Sequence, residues 1–219
     1  MKILIVIPTY NEGKTIRGII EKTLSVAPGD ILVVDDNSTD GTKDFVNSYS
    51  GTERVFMLER PGKMGLGTAY TDGFRWGIQR GYDLFFEMDA DMSHDPCSIP
   101  SFLEKVREGQ DMVVGSRYLH NTISVVGWDF KRLLLSKFGN CYASVLLRLR
   151  DFTDLTSGFR CYTKEALEAI GLEGIRSNGY SFQIEMVYRA NKRGLKITEV
   201  PIIFYERNGG SSKMSGNIV

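Results

Sequence analysis

The stretch FFEMDADMSHDP, Phe85 to Pro96, decides how the rest of the chain is read. It begins as an apolar run and ends in carboxylates, with Glu87, Asp89 and Asp91 alternating with Met88 and Ala90. Residues 84–89 read as a strand. Alternate side chains of a strand point to opposite faces, so Asp89 and Asp91 are expected to lean the same way where the strand ends. Asp95-Pro96 then offers a cap and a first-turn proline for a helix over 99–107.

Working outward, short apolar runs recur at 2–7, 31–35, 54–58, 83–88 and 112–114. Several are nearly continuous, as strands buried on both faces should be. Helical patterns separate them. Ile16, Ile19, Ile20 and Leu24 share one face, 66–80 follows a glycine turn from Gly62 to Gly67, and 180–192 carries Phe182, Met186 and Val187 at core spacing. This alternation predicts an α/β fold: a Rossmann-like, mostly parallel sheet flanked by helices. There is no repeat, low-complexity segment or long linker, so residues 1–219 read as a single domain.

Composition narrows the function classes. The chain has 219 residues, enough for one substantial core. Its 27 basic and 27 acidic residues cancel, so bulk charge names no partner and nucleic acid is not expected. Cys97, Cys141 and Cys161 are odd in number and far apart, which argues against a disulfide framework or a zinc site. The opening MKILIVIPTYNEG reads as a first strand rather than a signal peptide. No apolar run approaches the ~20 residues needed to span a bilayer.

Ligands of such sheets bind beyond the carboxyl ends of the strands. Those ends carry Pro8, Thr9, Tyr10, Asn11 and Glu12; Asp36, Asn37 and Ser38; Asp89, Ala90 and Asp91; and Gly115, Ser116 and Arg117. No Gly-x-Gly-x-x-Gly follows the first strand and there is no Walker-type lysine loop, which disfavours dinucleotide and P-loop sites. Asp is favoured at caps and turns, which suits Asp40 and Asp95 but explains the Asp89/Asp91 pair poorly. Like charges that close repel unless a cation lies between them. Mg2+ or Mn2+, hard ions that take carboxylate and phosphate oxygens, would supply it.

IPTYNE (7–12), VVDDNSTDGT (33–42) and DADMSH (89–94) resemble the GT-A glycosyltransferases of the large inverting family. More narrowly, RPGKMGLGTAY (60–70), GSRY (115–118), GWDFKR (127–132) with Ser136, DLTSGFR (154–160), EVPI (199–202) and the Arg207–Lys213 segment make the chain similar to dolichyl-phosphate mannose synthases. The resemblance covers nearly the whole chain and implies a GT-A fold with a nucleotide-sugar half (1–115) and an acceptor half (116–219). It implies transfer of mannose from GDP-mannose to dolichyl or another polyprenyl phosphate, with inversion. Pro8, Tyr10, Glu12 and Asp36 would hold the nucleoside. Asp89, Ala90 and Asp91 would face diphosphate and sugar, with Arg207 and Lys213 closing over them as a lid. Asp91 would bind the metal. Some members have Gln where Ser93 stands, and this shorter side chain would act through a water. His94 reads equally as a donor to the site or as a local turn contact.

The implied acceptor explains the arginines. A phosphate monoester is largely dianionic at neutral pH, with a second pKa of about 6, so no protein base is needed. Arg117, Arg132 and Ser136 are expected to hold it, because guanidinium forks match phosphate oxygens and Arg132 and Ser136 are neighbours on one helix face. Asp89, Asp91, Arg117 and Arg132 are therefore the expected catalytic set. Glu185 is expected as a brace for Arg160 or the acceptor loop rather than as a base. Asp91 is expected as an exposed loop carboxylate that contributes little to stability.

Phe130, Leu134, Phe138, Cys141, Val145 and Leu149 form one helical stripe. Between 116 and 150 the chain places Arg117, Lys131, Arg132, Lys137, Arg148 and Arg150 against a single acid, Asp129. A basic amphipathic helix reads as membrane-surface contact; packing on the sheet is the competing reading for part of the stripe. Together these readings place the protein at the cytoplasmic face of a membrane, peripherally or through an anchoring segment or subunit outside this chain. Alternatives are a polyprenyl-phosphate glucosyltransferase using UDP-glucose and a non-catalytic nucleotide-sugar-binding module.

Overall fold

The computed structural model describes residues 1–49 and 51–206. The apolar runs form β1 (Ile3–Thr9), β2 (Asp30–Asp35), β3 (Val55–Glu59), β4 (Leu84–Glu87) and β5 (Met112–Ser116). Between them lie α1 (Ile16–Val26), α2 (Thr42–Asn47), α3 (Leu66–Gln79) and α4 (Ile99–Arg107). Next come β6 (Val125–Val126), α5 (Phe130–Leu146), β7 (Arg160–Thr163), α6 (Lys164–Ile170), α7 (Tyr180–Lys192), β8 (Ile197–Pro201) and β9 (Phe204–Tyr205). The sequence pattern singled out none of β6 to β9, because each is short or carries polar residues.

The main sheet runs β3-β2-β1-β4-β7-β5-β8. β7 is antiparallel to β4 and to β5, and the other pairings are parallel. β1, β2, β4 and β5 therefore all end at one edge. β7, from the acceptor half, wedges between β4 and β5, so residues from both halves of the chain build that edge.

Alternation along the strands feeds two cores. Ile5, Ile7, Ile31, Val33 and Phe86 pack with α1 and α4, on Ile16, Ile19, Ile20, Ile99 and Phe102. Leu4, Val6, Leu32, Val34 and Phe85 pack on the other face with α3 and α7, on Tyr70, Phe74, Phe182 and Met186. Gly73 and Gly77 of α3 sit where a Cβ would meet Val6 and Leu4 at 2.5 and 2.6 Å, so that helix lies close on the sheet.

β4 ends at Glu87, not Asp89. Asp89 and Asp91 lie in the turn that follows, where Met92 has φ +65°. The turn, not strand alternation, sets their relation.

Candidate active site

The ends of β1 and β2 are tied together by side chains. Asp35, fully buried, accepts hydrogen bonds from Thr9 Oγ1 (2.8 Å), Ser38 Oγ (2.6 Å) and Ser38 N (2.8 Å). Asp36 accepts from Met64 N (3.1 Å) and forms an ion pair with Arg60 (3.2 Å). Arg60 also donates to Thr68 Oγ1 at the start of α3. Asp36 is thus held toward the glycine turn. Gly65, at φ +101°, has no room for a Cβ beside Asn178, which accepts from Gly67 N. Pro8 lies within β1 beside Val34, Lys63 Nζ sits 4.8 Å from the Tyr10 ring, and Glu12 N donates to Thr42 Oγ1. These four nucleoside candidates share one edge with the carboxylate turn.

In that turn Asp91 is 5 % exposed and accepts from Ser93 N at 3.0 Å. This overturns the expectation of an exposed loop carboxylate. Asp89 is partly exposed and accepts from Tyr70 Oη at 3.3 Å. Ala90 is buried in the core. His94 is buried between Phe159, stacked at 5.2 Å, and Phe204, edge-on at 5.6 Å. Its Nδ1 accepts from Asp89 N at 3.2 Å. Burial pushes the imidazole below its ordinary pKa, over the opposing pull of Asp89 and Asp91. His94 is therefore neutral at pH 7 with its proton on Nε2, and it serves the turn as an acceptor rather than a donor.

A divalent cation fits here by donor chemistry. Ser93 Oγ is buried with no hydrogen-bond partner among the described residues, next to a carboxylate held by the same turn. Among the described residues no three His, Cys, Asp or Glu come together as a cage. An ion at Asp91 would complete its shell with phosphate oxygens and water, as Mg2+ commonly does.

Among the residues expected to meet the acceptor, Arg117 is 4 % exposed. Its Nε and Nη2 donate to the two oxygens of Asp154 at 2.6 and 2.7 Å, and Nη2 also reaches Thr156 Oγ1 at 2.8 Å. Asp154 holds the guanidinium protonated against the cost of burial. Glu199 of β8 fixes the turn behind it, accepting from Thr153 N and Asp154 N at 2.9 Å each. The guanidinium carbons of Arg117 and Arg132 lie 5.3 and 4.3 Å from the Trp128 ring centroid, so one indole links the two cations. Arg132 also pairs with Glu206 (3.0 Å), and Ser136 Oγ accepts from Tyr118 Oη (2.7 Å). Asp154, Trp128 and Glu206 were not singled out from sequence. Asp154 begins the DLTSGFR motif, and Trp128 is the second residue of the one containing Arg132.

Arg160, fully buried, donates to the carbonyls of Leu155, Ser157 and Gln183. It thereby shapes the 154–159 loop, whose Gly158 backs onto His94 and Asp89. Glu185 accepts from Ser177 N and Arg189 Nε instead of bracing Arg160. Arg207 and Lys213, the expected lid cations, lie outside the described residues.

Helix α5 stands apart. Of its residues, Asn140 and Ala143 are buried, whereas Phe130 (76 %), Phe138 (67 %), Leu134, Tyr142, Val145 and Leu146 are exposed. The stripe thus faces outward over the helix and meets the core only past its end, at Leu149. Among the described residues no helix is long and apolar enough to cross a membrane.

Residues 4–171 match the family described as Glycosyl transferase family 2. The chain belongs to that family. It is 45 % identical to an undecaprenyl-phosphate mannosyltransferase of Micrococcus luteus, over 100 % of this chain and 90 % of that one. It is 43 % identical to a polyprenol monophosphomannose synthase of Mycolicibacterium smegmatis, over 98 % of this chain and 81 % of that one. In fold it resembles glucosyl-3-phosphoglycerate synthase from Mycobacterium tuberculosis, solved with Mn2+, uridine diphosphate and glucosyl-3-phosphoglycerate. That likeness, with a TM-score of 0.71 at 19 % identity over 96 % of this chain and 73 % of the other, shows the GT-A fold alone. The family match ends just past α6, so α7, β8 and β9 of this glycosyltransferase lie beyond the shared segment.

Proposed function

We propose that this chain transfers mannose from GDP-mannose to a polyprenyl phosphate with inversion, working at the cytoplasmic face of a membrane. The observation that carries the reading is α5: an outward apolar face adjoining Arg132 and Ser136, where an acceptor with a lipid tail would approach. The full-length similarity to a mannosyltransferase and a monophosphomannose synthase with polyprenyl acceptors supports it.

In this reading Asp36 and Tyr10 hold the nucleoside and the Asp89–Asp91 turn faces the diphosphate. Mg2+ or Mn2+, held by Asp91 with Asp89 and a water on Ser93, would supply positive charge to the leaving group. Arg117 and Arg132 bring the acceptor phosphate in as a dianion and offset the repulsion between the two anions. A phosphate oxygen attacks the anomeric carbon, the bond from that carbon to the diphosphate oxygen breaks, and GDP leaves with the electron pair. No proton is removed, so no carboxylate acts as base. His94 keeps Asp89 in place through its backbone, and Tyr70 orients the Asp89 carboxylate. The exposed face of α5 rests at the lipid surface, and an anchoring segment or subunit would add to its hold.

The test is transfer to a short-chain polyprenyl phosphate with GDP-mannose or UDP-glucose as donor, with product stereochemistry read by NMR. Transfer from GDP-mannose giving a β-linked product is expected. Preference for UDP-glucose, or an α-linked product, overturns the reading.

A further inference from the structure

Asn140 is an outlier on α5. It is 4 % exposed on a helix whose apolar stripe faces outward, and it is polar. Its Oδ1 accepts from Leu155 N at 2.8 Å, and its Nδ2 donates to Ser136 O at 3.0 Å and Thr156 Oγ1 at 3.2 Å. Thr156 Oγ1 is the same atom that receives Arg117 Nη2 at 2.8 Å. Two hydrogen bonds therefore join the helix to a buried guanidinium. The loop at the other end of this link is fixed independently. Glu199 holds Thr153 and Asp154 from β8, and Arg160 holds the Leu155 and Ser157 carbonyls. With loop and strand end rigid, this amide is the buried joint between α5 and the site, beside the more exposed Tyr118–Ser136 and Arg132–Trp128 contacts, and Ala143 is the other buried position on the helix.

We propose that Asn140 is a positioning residue that sets α5, and with it Arg132 and Ser136, in register with Arg117, so that one phosphate meets all three. The proposal rests on the reading of Arg117, Arg132 and Ser136 as the acceptor-phosphate residues. An apolar residue at 140 would bury the same surface but leave Leu155 N without a partner, and a buried unpaired amide is costly. A carboxamide offers an acceptor on one side and two donors on the other, and that of Asn140 meets all three partners. An amide in this place suits registration of the helix better than burial alone.

The experiment compares Asn140→Asp and Thr156→Val with the wild-type chain. Asn140→Asp keeps the acceptor for Leu155 N and removes the donor to Thr156, and Thr156→Val removes the shared hydroxyl while keeping its shape. Acceptor KM is measured with a short-chain polyprenyl phosphate, GDP-mannose affinity by calorimetry, and fold integrity by melting. Both variants are expected to raise acceptor KM about fivefold, the range of one lost hydrogen bond, and to leave donor affinity within twofold. The double variant should be no worse than the worse single one, because both cut the same link. Unchanged acceptor KM in both variants, equal loss of donor and acceptor affinity, or additive effects in the double variant would each overturn the proposal. Arg117→Lys serves as the control for the underlying reading. If it leaves acceptor KM unchanged, the acceptor assignment has failed rather than the joint.

Discussion

At the ends of β1 and β2 the polar side chains are tied to one another before any ligand arrives. Asp35 takes Thr9 and Ser38, Asp36 takes Arg60, and the whole edge rests on strands that are buried on both faces. On α5 the arrangement is the reverse. A helix about 26 Å long by its rise per residue shows its apolar side chains to solvent and is joined to the body through buried Asn140 and Ala143 and the polar contacts of Arg132 and Ser136. The difference teaches where each side of the site gets its order. The donor edge is ordered by the sheet; the acceptor face is ordered by a few polar joints, and its apolar surface awaits something outside the chain. An exposed apolar patch of that extent marks an interaction surface.

The strongest way to break the comparison is at the donor edge. Asp91→Asn removes a carboxylate charge from the turn proposed to face the donor diphosphate. Transfer is expected to fall on the order of a thousandfold, the range for removing one electrostatic stabiliser from a reacting site. Added Mg2+ or Mn2+ should not restore it. Because Asp91 is buried and bonded to Ser93 N, thermal stability should also change, through a route separate from catalysis. Transfer within tenfold of wild type would show that this edge does not carry the charge compensation.

On the acceptor side, Asp154→Asn leaves Arg117 buried without its counter-ion. Breaking such a pair costs about 3 kcal/mol or more, so the melting temperature should drop clearly. Among molecules still folded at low temperature, acceptor KM should rise while donor affinity holds. If donor affinity fell instead, Arg117 would belong to the other side of the site.

The two regions were unequally legible in the sequence. Strands such as 31–35 are continuous apolar runs bounded by turn residues, and local pattern alone locates them. The ligand edge followed from strand ends, and Asp36, Asp89 and Asp91 were found that way. On the acceptor side the same pattern reached Arg117 but not its partner. Arg117 and Asp154 are 37 residues apart, and nothing local says that a Ser-Arg after β5 will meet an Asp-Leu-Thr before β7. β7 itself, with Arg160 and Cys161 inside it, carries a buried cation that no strand pattern anticipates. The turn geometry at Asp89 was misread because the run continues apolar through Met88 after the ladder has ended at Glu87.

Glu87 allows a finer comparison, because it lies under the boundary between the two regions. It is fully buried, accepting from Tyr162 Oη at 2.9 Å and Gln183 Nε2 at 2.7 Å. Burial raises its pKa from 4.5 to about 7, partly offset by Arg160. A carboxyl raised on folding binds more protons in the native state, so its contribution favours the fold below pH 4.5. That contribution is lost as pH rises toward 7. Glu87→Gln removes the titration. Relative to wild type, the variant should gain about 2 kcal/mol in stability between pH 5 and pH 8, read from denaturant midpoints at each pH. A difference that stays flat across that window would mean that Glu87 ionises normally, with Arg160 as a full partner.

The smallest effect tests the surface that the sheet does not order. Leu134→Glu with Phe138→Glu places two acids on the outward stripe of α5, one turn apart and away from Asn140. Both side chains are largely exposed, so the fold loses little and the melting temperature should move by no more than a degree or two. Transfer to a short, soluble polyprenyl phosphate should stay within twofold of wild type, because Arg117, Arg132 and Ser136 keep their partners. Binding to vesicles containing anionic lipid should weaken about tenfold, since the apolar contact is lost and the new charges oppose Lys131 and Lys137 at the same surface. Transfer to an acceptor embedded in those vesicles should fall with the binding. The discriminating quantity is the ratio of the two transfer rates. Equal loss on both acceptors would mean that the stripe acts through the site. No loss on either would mean that something other than a membrane covers α5, and the acceptor face would then have to be ordered by a protein partner.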